Sequence, residues 1–357
     1  MLGEGFARYE WHNVAGTRTL ILKVGSASDN LLIPSVSAPD KASSECAEDM
    51  DEHVGPRRMI LIVPGRLAIN GTTVFCQMDR QVVRAVMCML TGNPGSIQFY
   101  EEFAVRLWEL LGASKADAVW GVSHAGHVFH SSLTEEIFDG NDYPNLRFQI
   151  THKSHFVREC IPESVEEIVL IGHSIGVYIS LKVLDELSRS SWSDRKLRVI
   201  GLFPTIERMA ITPHGRLYTP VLRYFRWFLL LTVYGLSWLP EGLQRLVFRW
   251  YGPDMADHHF CAIRGLTNYH SFRNSILMAR DEMEQVLELD GDLIERYVDR
   301  VVMYYGNCDH WCPVDYHTNI KQMFPAGQFH LCDQGYEHAF VLKHSLPMAQ
   351  LVAKWLT

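Results

Sequence analysis

The sequence predicts an α/β fold, a mostly parallel sheet covered by helices, with a helical and apolar insertion late in the chain. Three observations point there. Short apolar runs alternate with helical patterns along most of the chain. The pentapeptide Gly172-His173-Ser174-Ile175-Gly176 separates one such strand, Glu167–Ile171, from a helical stretch, Val177–Leu187. Between Phe203 and Arg300 the alternation stops, and the chain reads as helical or apolar with no strand standing out.

The first segment, Phe6–Trp11 with Thr19–Val24 around Ala15-Gly16, reads as a hairpin. Residues 25–56, rich in Ser, Ala, Pro, Asp and Glu, read as a long exposed loop. Met59–Val63 is the next strand candidate, and a helix over Tyr100–Leu111 precedes another at Ala118–Val122. The strand before Ser174 is followed by Leu197–Phe203, Arg300–Tyr305 and Gln328–Leu331, and a helix over Leu346–Leu356 closes the chain. The expected division is a core from residues 1–203 and 300–357, with 204–299 arching over the C-terminal strand ends as a cap.

Bulk composition narrows the function. A chain of 357 residues, 47% hydrophobic and 21% charged, has room for one large domain with an insertion or for two small ones. Its net charge of −8 argues against nucleic acid as a partner, which usually calls for a basic face. The eight cysteines are scattered without a C-x-x-C pair. The start, Met1-Leu2-Gly3-Glu4-Gly5, has neither a basic n-region nor an apolar h-region. Free thiols in a reducing compartment are therefore expected. Cys308 and Cys312 without further ligands do not make a zinc site, and neither a metal nor a cofactor is expected.

The chemistry starts at Ser174. Strand, tight turn and helix around G-x-S-x-G describe a nucleophile elbow, whose strained serine needs small neighbours; the alternative is a buried helix N-terminus. A serine nucleophile needs a base, and the base an orienting acid, here in the order Ser, Asp or Glu, His. Asp309, in the loop after Arg300–Tyr305, is the expected acid, and His338, in the loop after Gln328–Leu331, the expected base. They stand 29 positions apart, room for one helix and one strand. Among the 17 histidines, His310 beside the acid is the main rival for the base. His173 inside the elbow reads as a packing residue, and His124 and His127 read as lining the pocket rim rather than binding a metal. The oxyanion hole should combine the N–H of Ile175 with that of Asn93 in Gly92-Asn93-Pro94-Gly95, since Pro94 has none.

Together these motifs resemble those of the lipid droplet-associated hydrolases, a branch of the α/β-hydrolases. The resemblance covers most of residues 88–357. It rests on Gly92–Gly95 with Phe99-Tyr100, Ser123-His124-Ala125-Gly126-His127, Gly172–Gly176, Leu202-Phe203-Pro204-Thr205-Ile206, Tyr304-Tyr305-Gly306 with Asp309–Pro313, and His338-Ala339-Phe340-Val341-Leu342. It implies an α/β-hydrolase fold, a triad of Ser174, Asp309 and His338, and action on lipid esters, sterol esters being the proposed substrate. It also implies residence at lipid droplets and the cytosolic face of the endoplasmic reticulum. One departure stands out. In the family, the third strand runs straight into the oxyanion loop. Here Met59–Gly65 looks like that strand, yet residues 66–91 intervene. Either they bulge out as an inserted segment, or Ala85–Leu90 replaces the strand.

Val221–Leu239 is the most apolar stretch, with Arg223 and Arg226 its only charges. The uncharged part, Trp227–Leu239, would make a helix of roughly 20 Å, short of the roughly 30 Å hydrocarbon core of a bilayer. Trp227, Phe228, Leu229, Leu230, Leu231 and Trp238 suit a segment lying in a phospholipid monolayer or membrane surface. The alternative is a lid helix buried over the active site. Three functions remain in view. The first is a serine ester hydrolase of neutral lipids, whose acyl-enzyme could also pass its acyl group to an alcohol. The second is a droplet protein with weak or vestigial catalysis. The third, a soluble small-ester hydrolase, is disfavoured by Val221–Leu239.

Overall fold

A computed structural model describes residues 5–26, 68–69, 72–73, 85–111, 117–128, 143–251 and 257–356. The chain begins with the antiparallel hairpin of β1 (Gly5–Val14) and β2 (Thr17–Ser26). Its two-residue turn places both Ala15 and Gly16 at positive φ, the geometry that matches the twist of paired strands. The next strands of the sheet are β3 (Ala85–Leu90), β4 (Asp117–Val122), β5 (Glu167–His173) and β6 (Lys196–Leu202). They are followed by β7 (Val301–Tyr305) and β8 (Gln328–Leu331). The eight strands lie in the order β1-β2-β4-β3-β5-β6-β7-β8. β2 alone runs against the others, pairing antiparallel with both β1 and β4.

β3 occupies the centre of this sheet, in parallel register with β4 on one side and β5 on the other. All six of its residues are buried, as a strand covered on both faces requires. Of the two alternatives left open by the sequence, Ala85–Leu90 is therefore the strand that runs into the Gly92 loop, with only Thr91 between them. The segment that could loop out thus ends before Ala85. Met59–Val63 and the expected loop beyond Ser26 lie outside the described residues.

Helices cover both faces. α1 (Glu101–Leu111) follows a short 3-10 turn, Ile97–Tyr100, and α2 (Leu146–Cys160) precedes β5. α3 (Ile175–Ser188) starts directly at the elbow. Between β6 and β7 come six helices and, among the described residues, no strand: α4 (Pro213–Tyr224), α5 (Arg226–Ser237), α6 (Glu241–Tyr251), α7 (Asp257–Leu266), α8 (Tyr269–Gln285) and α9 (Gly291–Arg296). After β7, α10 (Val314–Met323) leads to β8, and α11 (Ser345–Leu356) packs against α1.

The apolar stretch Val221–Leu239 covers the end of α4 and all of α5, with the chain breaking at Phe225, and the helix expected over Trp227–Leu239 is α5. α5 has no buried residue. Trp227, Phe228, Leu231 and Trp238 are 57–74% exposed, while Leu229 and Leu230 are half-buried. A lid helix buried over the site is thus not what α5 is. Among the described residues no helix is long and apolar enough to cross a membrane.

Candidate active site

The elbow forms because β5 runs out of sheet at His173 and α3 begins one residue after Ser174. Ser174 has φ 55° and ψ −125°, a conformation that ordinary residues avoid and that persists only where the surroundings hold it. The Ser174 N–H donates to Leu202 O (3.0 Å) and its carbonyl accepts from Val177 N (3.0 Å). The glycines on either side are demanded by close approach. A Cβ on Gly172 would lie 2.6 Å from Gly176 O, and one on Gly176 would run into Leu90 O at the end of β3.

Three elements that are distant in sequence converge on the Ser174 hydroxyl. His338 Nε2 lies 2.9 Å from Ser174 Oγ, and His338 Nδ1 lies 2.6 Å from Asp309 Oδ2. Burial alone would raise the Asp309 pKa. The hydrogen bonds from His338, Cys312 and the Trp311 N–H outweigh that and hold the carboxyl below its usual range. The ionised carboxylate only accepts, so Nδ1–H donates to it and the Nε2 lone pair faces the serine O–H. This gives hydroxyl, imidazole and carboxylate in the sequence that nucleophilic catalysis needs.

Asp309 is fixed by its own turn. Oδ1 accepts from Trp311 N (2.7 Å) and Cys312 N (3.3 Å), and Oδ2 accepts from the Cys312 thiol (2.8 Å). Cys312 is a partner that sequence reasoning missed, although a cysteine three residues after the acid was a readable signal. Asp309, Cys312 and His338 also form the one trio of metal-ligand atoms within 4.8 Å among the described residues. Those atoms are already bonded to one another. Burial, with Asp309 adding to it, keeps the Cys312 thiol protonated, and a cation there would have to break the relay.

The Gly92–Gly95 loop lies against the elbow. A Cβ on Gly92 would sit 2.9 Å from Ser174 Cβ. Ile175 is the first residue of α3, so its N–H has no acceptor in its own helix. Among the described residues the Asn93 N–H likewise has no acceptor. The Asn93 side chain points to α8, where its Nδ2 donates to Ser275 O (3.0 Å) and Glu282 Oε1 (2.9 Å). Both N–H groups belong to segments that adjoin Ser174: Ile175 follows it in the chain, and Asn93 follows Gly92.

The remaining histidines sort by burial. His173 is buried, and burial together with the nearby His338 lowers its pKa to about 3. In the neutral ring, Nε2–H donates to His338 O (2.8 Å) and Nδ1 accepts from Tyr100 O–H (2.7 Å). Tyr100 Oη in turn accepts from Gly92 N (2.9 Å). This chain ties the Gly92–Gly95 loop to the His338 loop through the elbow, a link that the sequence did not reveal. His310 is exposed and its ring stacks edge-on with His214 at 5.1 Å, outside the relay.

His124 and His127, expected at the pocket rim, are instead 1% exposed. The loop after β4 passes beneath Gly92–Gly95, with His124 N donating to Gly95 O (2.7 Å) and His127 Nδ1 lying 2.8 Å from Pro94 O. Burial lowers the His127 pKa to about 4 and that of His124 well below the usual range.

The model of the lipid-droplet associated hydrolase family matches residues 83–341. The lipid droplet-associated hydrolase of Gallus gallus is 37% identical over 286 residues, 78% of this chain and 86% of that protein. The one of Homo sapiens is 32% identical over 292 residues, 79% and 87% respectively. Among solved structures, 2-hydroxy-6-oxo-6-phenylhexa-2,4-dienoate hydrolase from Rhodococcus aligns with a TM-score of 0.59 at 12% identity, covering 99% of both chains. That likeness, with the strand order above, establishes the α/β-hydrolase fold. The chain belongs to the lipid-droplet associated hydrolase family.

Proposed function

We propose that this protein is a serine hydrolase of neutral lipid esters, with sterol esters as its substrate, acting at the lipid droplet surface and the cytosolic face of the endoplasmic reticulum. The hydrogen-bonded run from Ser174 through His338 to Asp309 carries this reading. Ser174 Oγ attacks the ester carbonyl as His338 Nε2 takes its proton. Asp309 stabilises the imidazolium, and the N–H groups of Ile175 and Asn93 hold the oxyanion. His338 then gives the proton to the departing alcohol oxygen, leaving an acyl-enzyme. Water attacks the acyl carbon, its proton passes to His338, and collapse returns the fatty acid and the Ser174 hydroxyl.

Residues 204–299 act as a cap in this reading. The exposed apolar residues of α5, with Trp227 and Trp238 near its ends, rest on the phospholipid monolayer of the droplet. The names of the relatives, droplet-associated hydrolases, support both halves of the proposal. The test is labelling with a fluorophosphonate probe, followed by incubation with sterol, acylglycerol and retinyl esters. Labelling of the native chain and none of Ser174→Ala is expected, with sterol esters hydrolysed fastest. A folded native protein that does not label would end the catalytic reading.

A further inference from the structure

We infer that Glu282, on α8, is a positioning residue for the oxyanion loop: it takes up the Asn93 side chain so that the backbone of Asn93 is held with its N–H facing Ser174. The inference rests on the reading of Asn93 as an oxyanion donor.

α8 buries Ser271, Asn274, Ser275, Met278, Asp281, Glu282 and Met283, and all but the two methionines are polar. A set of this kind gains little from the hydrophobic effect, so its burial is compensated only if its hydrogen bonds are made. Asp281 Oδ1 accepts from Tyr143 O–H (2.6 Å) while its Oδ2 has no partner among the described residues, and Asn274, Ser275 and Glu282 bond to the loops beside Ser174. Asn274 Nδ2 donates to Gly126 O (2.9 Å) in the loop after β4. Ser275 Oγ lies 3.2 Å from Pro94 O and 3.1 Å from His127 Nδ1. Asn93 Nδ2 donates to Ser275 O and to Glu282 Oε1, which uses both of its hydrogens. The loop after β3 is therefore gripped from the insertion side by α8, from below by His127, and at Gly92 by Tyr100.

Glu282 is the one side chain of α8 that accepts from Asn93. It is 3% exposed, and burial, with Asp281 nearby, lifts its pKa to about 8 against the lowering effect of the Asn93 bond. At pH 7 it is mostly a neutral acid, whose carbonyl oxygen accepts the amide without the cost of a buried charge. Asn93 can then contribute only its main chain to the site. A donor whose position is set by its side chain's anchor keeps its aim without reorganising during reaction, which is where oxyanion stabilisation comes from.

The experiment compares Glu282→Gln, which keeps an acceptor of the same reach, with Glu282→Leu, which fills the space without one, and with Asn93→Ala, which removes the donor from outside the helix. With a soluble ester, Glu282→Leu and Asn93→Ala should each lower kcat by about 10²-fold, in the range of a lost oxyanion donor, with KM nearly unchanged. Glu282→Gln should restore most of kcat, and Glu282→Leu combined with Asn93→Ala should fall no further than either alone. Native kcat in folded Glu282→Leu, or additive losses in the pair, would overturn the inference. Hydrogen exchange reads the same contact without turnover. The Gly92 and Gly95 amides, bonded to Tyr100 Oη and Gly92 O, should exchange at least tenfold faster in Glu282→Leu and in Asn93→Ala, while those of β7 stay as in the native chain. Unchanged exchange at both glycines in both variants would overturn it too. Loss of the Ser174-dependent labelling alone would sink the catalytic reading and leave the exchange result standing.

Discussion

Two helices of the same insertion are built inside out relative to each other. α8 buries a polar stripe of Ser271, Asn274, Ser275, Asp281 and Glu282, whereas α5 leaves Trp227, Phe228, Leu231 and Trp238 exposed. Neither pattern makes sense for an ordinary amphipathic helix on a protein surface, which puts its apolar face in and its polar face out. Each makes sense by what it meets. α8 meets backbone carbonyls and an amide of the loops beside Ser174, groups that need hydrogen-bond partners. α5 leaves its large apolar side chains exposed among the described residues, and such a patch is of the kind that a surface-binding protein presents to lipid. The lesson is a division of labour within one insertion. In the proposed function, α8 braces the loop beside Ser174 and the exposed face of α5 rests on an apolar surface.

That division predicts that chemistry and surface binding come apart, and the sharpest way to break it is at Ser174. Ser174→Ala should lower ester hydrolysis on the order of a million-fold while binding to phospholipid-coated triolein droplets stays native. Loss of binding in this variant would show the two faces to be one functional unit. Asp309→Asn should cost about 10⁴-fold in kcat, because the histidine tautomer that presents Nε2 to the serine is no longer favoured, and floating the emulsion should again recover the protein with the lipid. The converse variant removes the outer face. Each of Trp227→Ala and Trp238→Ala should weaken droplet binding by about tenfold, the equivalent of about 1.4 kcal/mol of lost apolar burial, with kcat on a soluble short ester untouched.

The inner face is tested through pH. The Glu282 carboxyl has its folded-state pKa raised to about 8, in a setting shared with Asp281 and Asn93. A raised pKa means that its contribution is fully present below the unfolded value, near 4.5, and is lost as pH rises toward 8. Stability should therefore fall across that window by an amount of order a few kcal/mol, and Glu282→Gln, which has no proton to lose, should flatten the curve. Thermal melts of both proteins between pH 5 and 8 will show this; parallel curves would mean that Glu282 is not the titrating group.

The triad was legible because each member obeys a local rule. Ser174 sits in a strand-turn-helix signature, and Asp309 and His338 each sit in the loop after an apolar strand, in the expected order. The exposed aromatic residues of α5 were legible as an uncharged run, though not the break at Phe225 that divides the stretch into two helices. The strand feeding the oxyanion loop was ambiguous, since Met59–Val63 and Ala85–Leu90 have the same apolar pattern and pattern alone cannot choose a neighbour. Pairing with β4 and β5 on both sides decided for Ala85–Leu90. His124 and His127 were misplaced at a rim because their sequence shows only that they follow a strand, not that another loop crosses above them.

Glu282, Tyr100 and Cys312 show where sequence reading stops. Each makes contacts whose meaning depends on the other partner: Glu282 with Asn93, 189 positions away, Tyr100 with His173 and Gly92, and Cys312 with Asp309. The sequence by itself determined the sheet-and-helix class, the family, and the three residues of the relay. These follow from short-range rules: strand and helix periodicity, the small residues that a strained serine needs, and chain order. Tertiary structure alone decided which strand lies at the centre, which histidines are buried, and which helix bonds to the Asn93 side chain. Those outcomes depend on satisfying buried polar groups between segments far apart in the chain, and a one-dimensional pattern does not record which donor will find which acceptor.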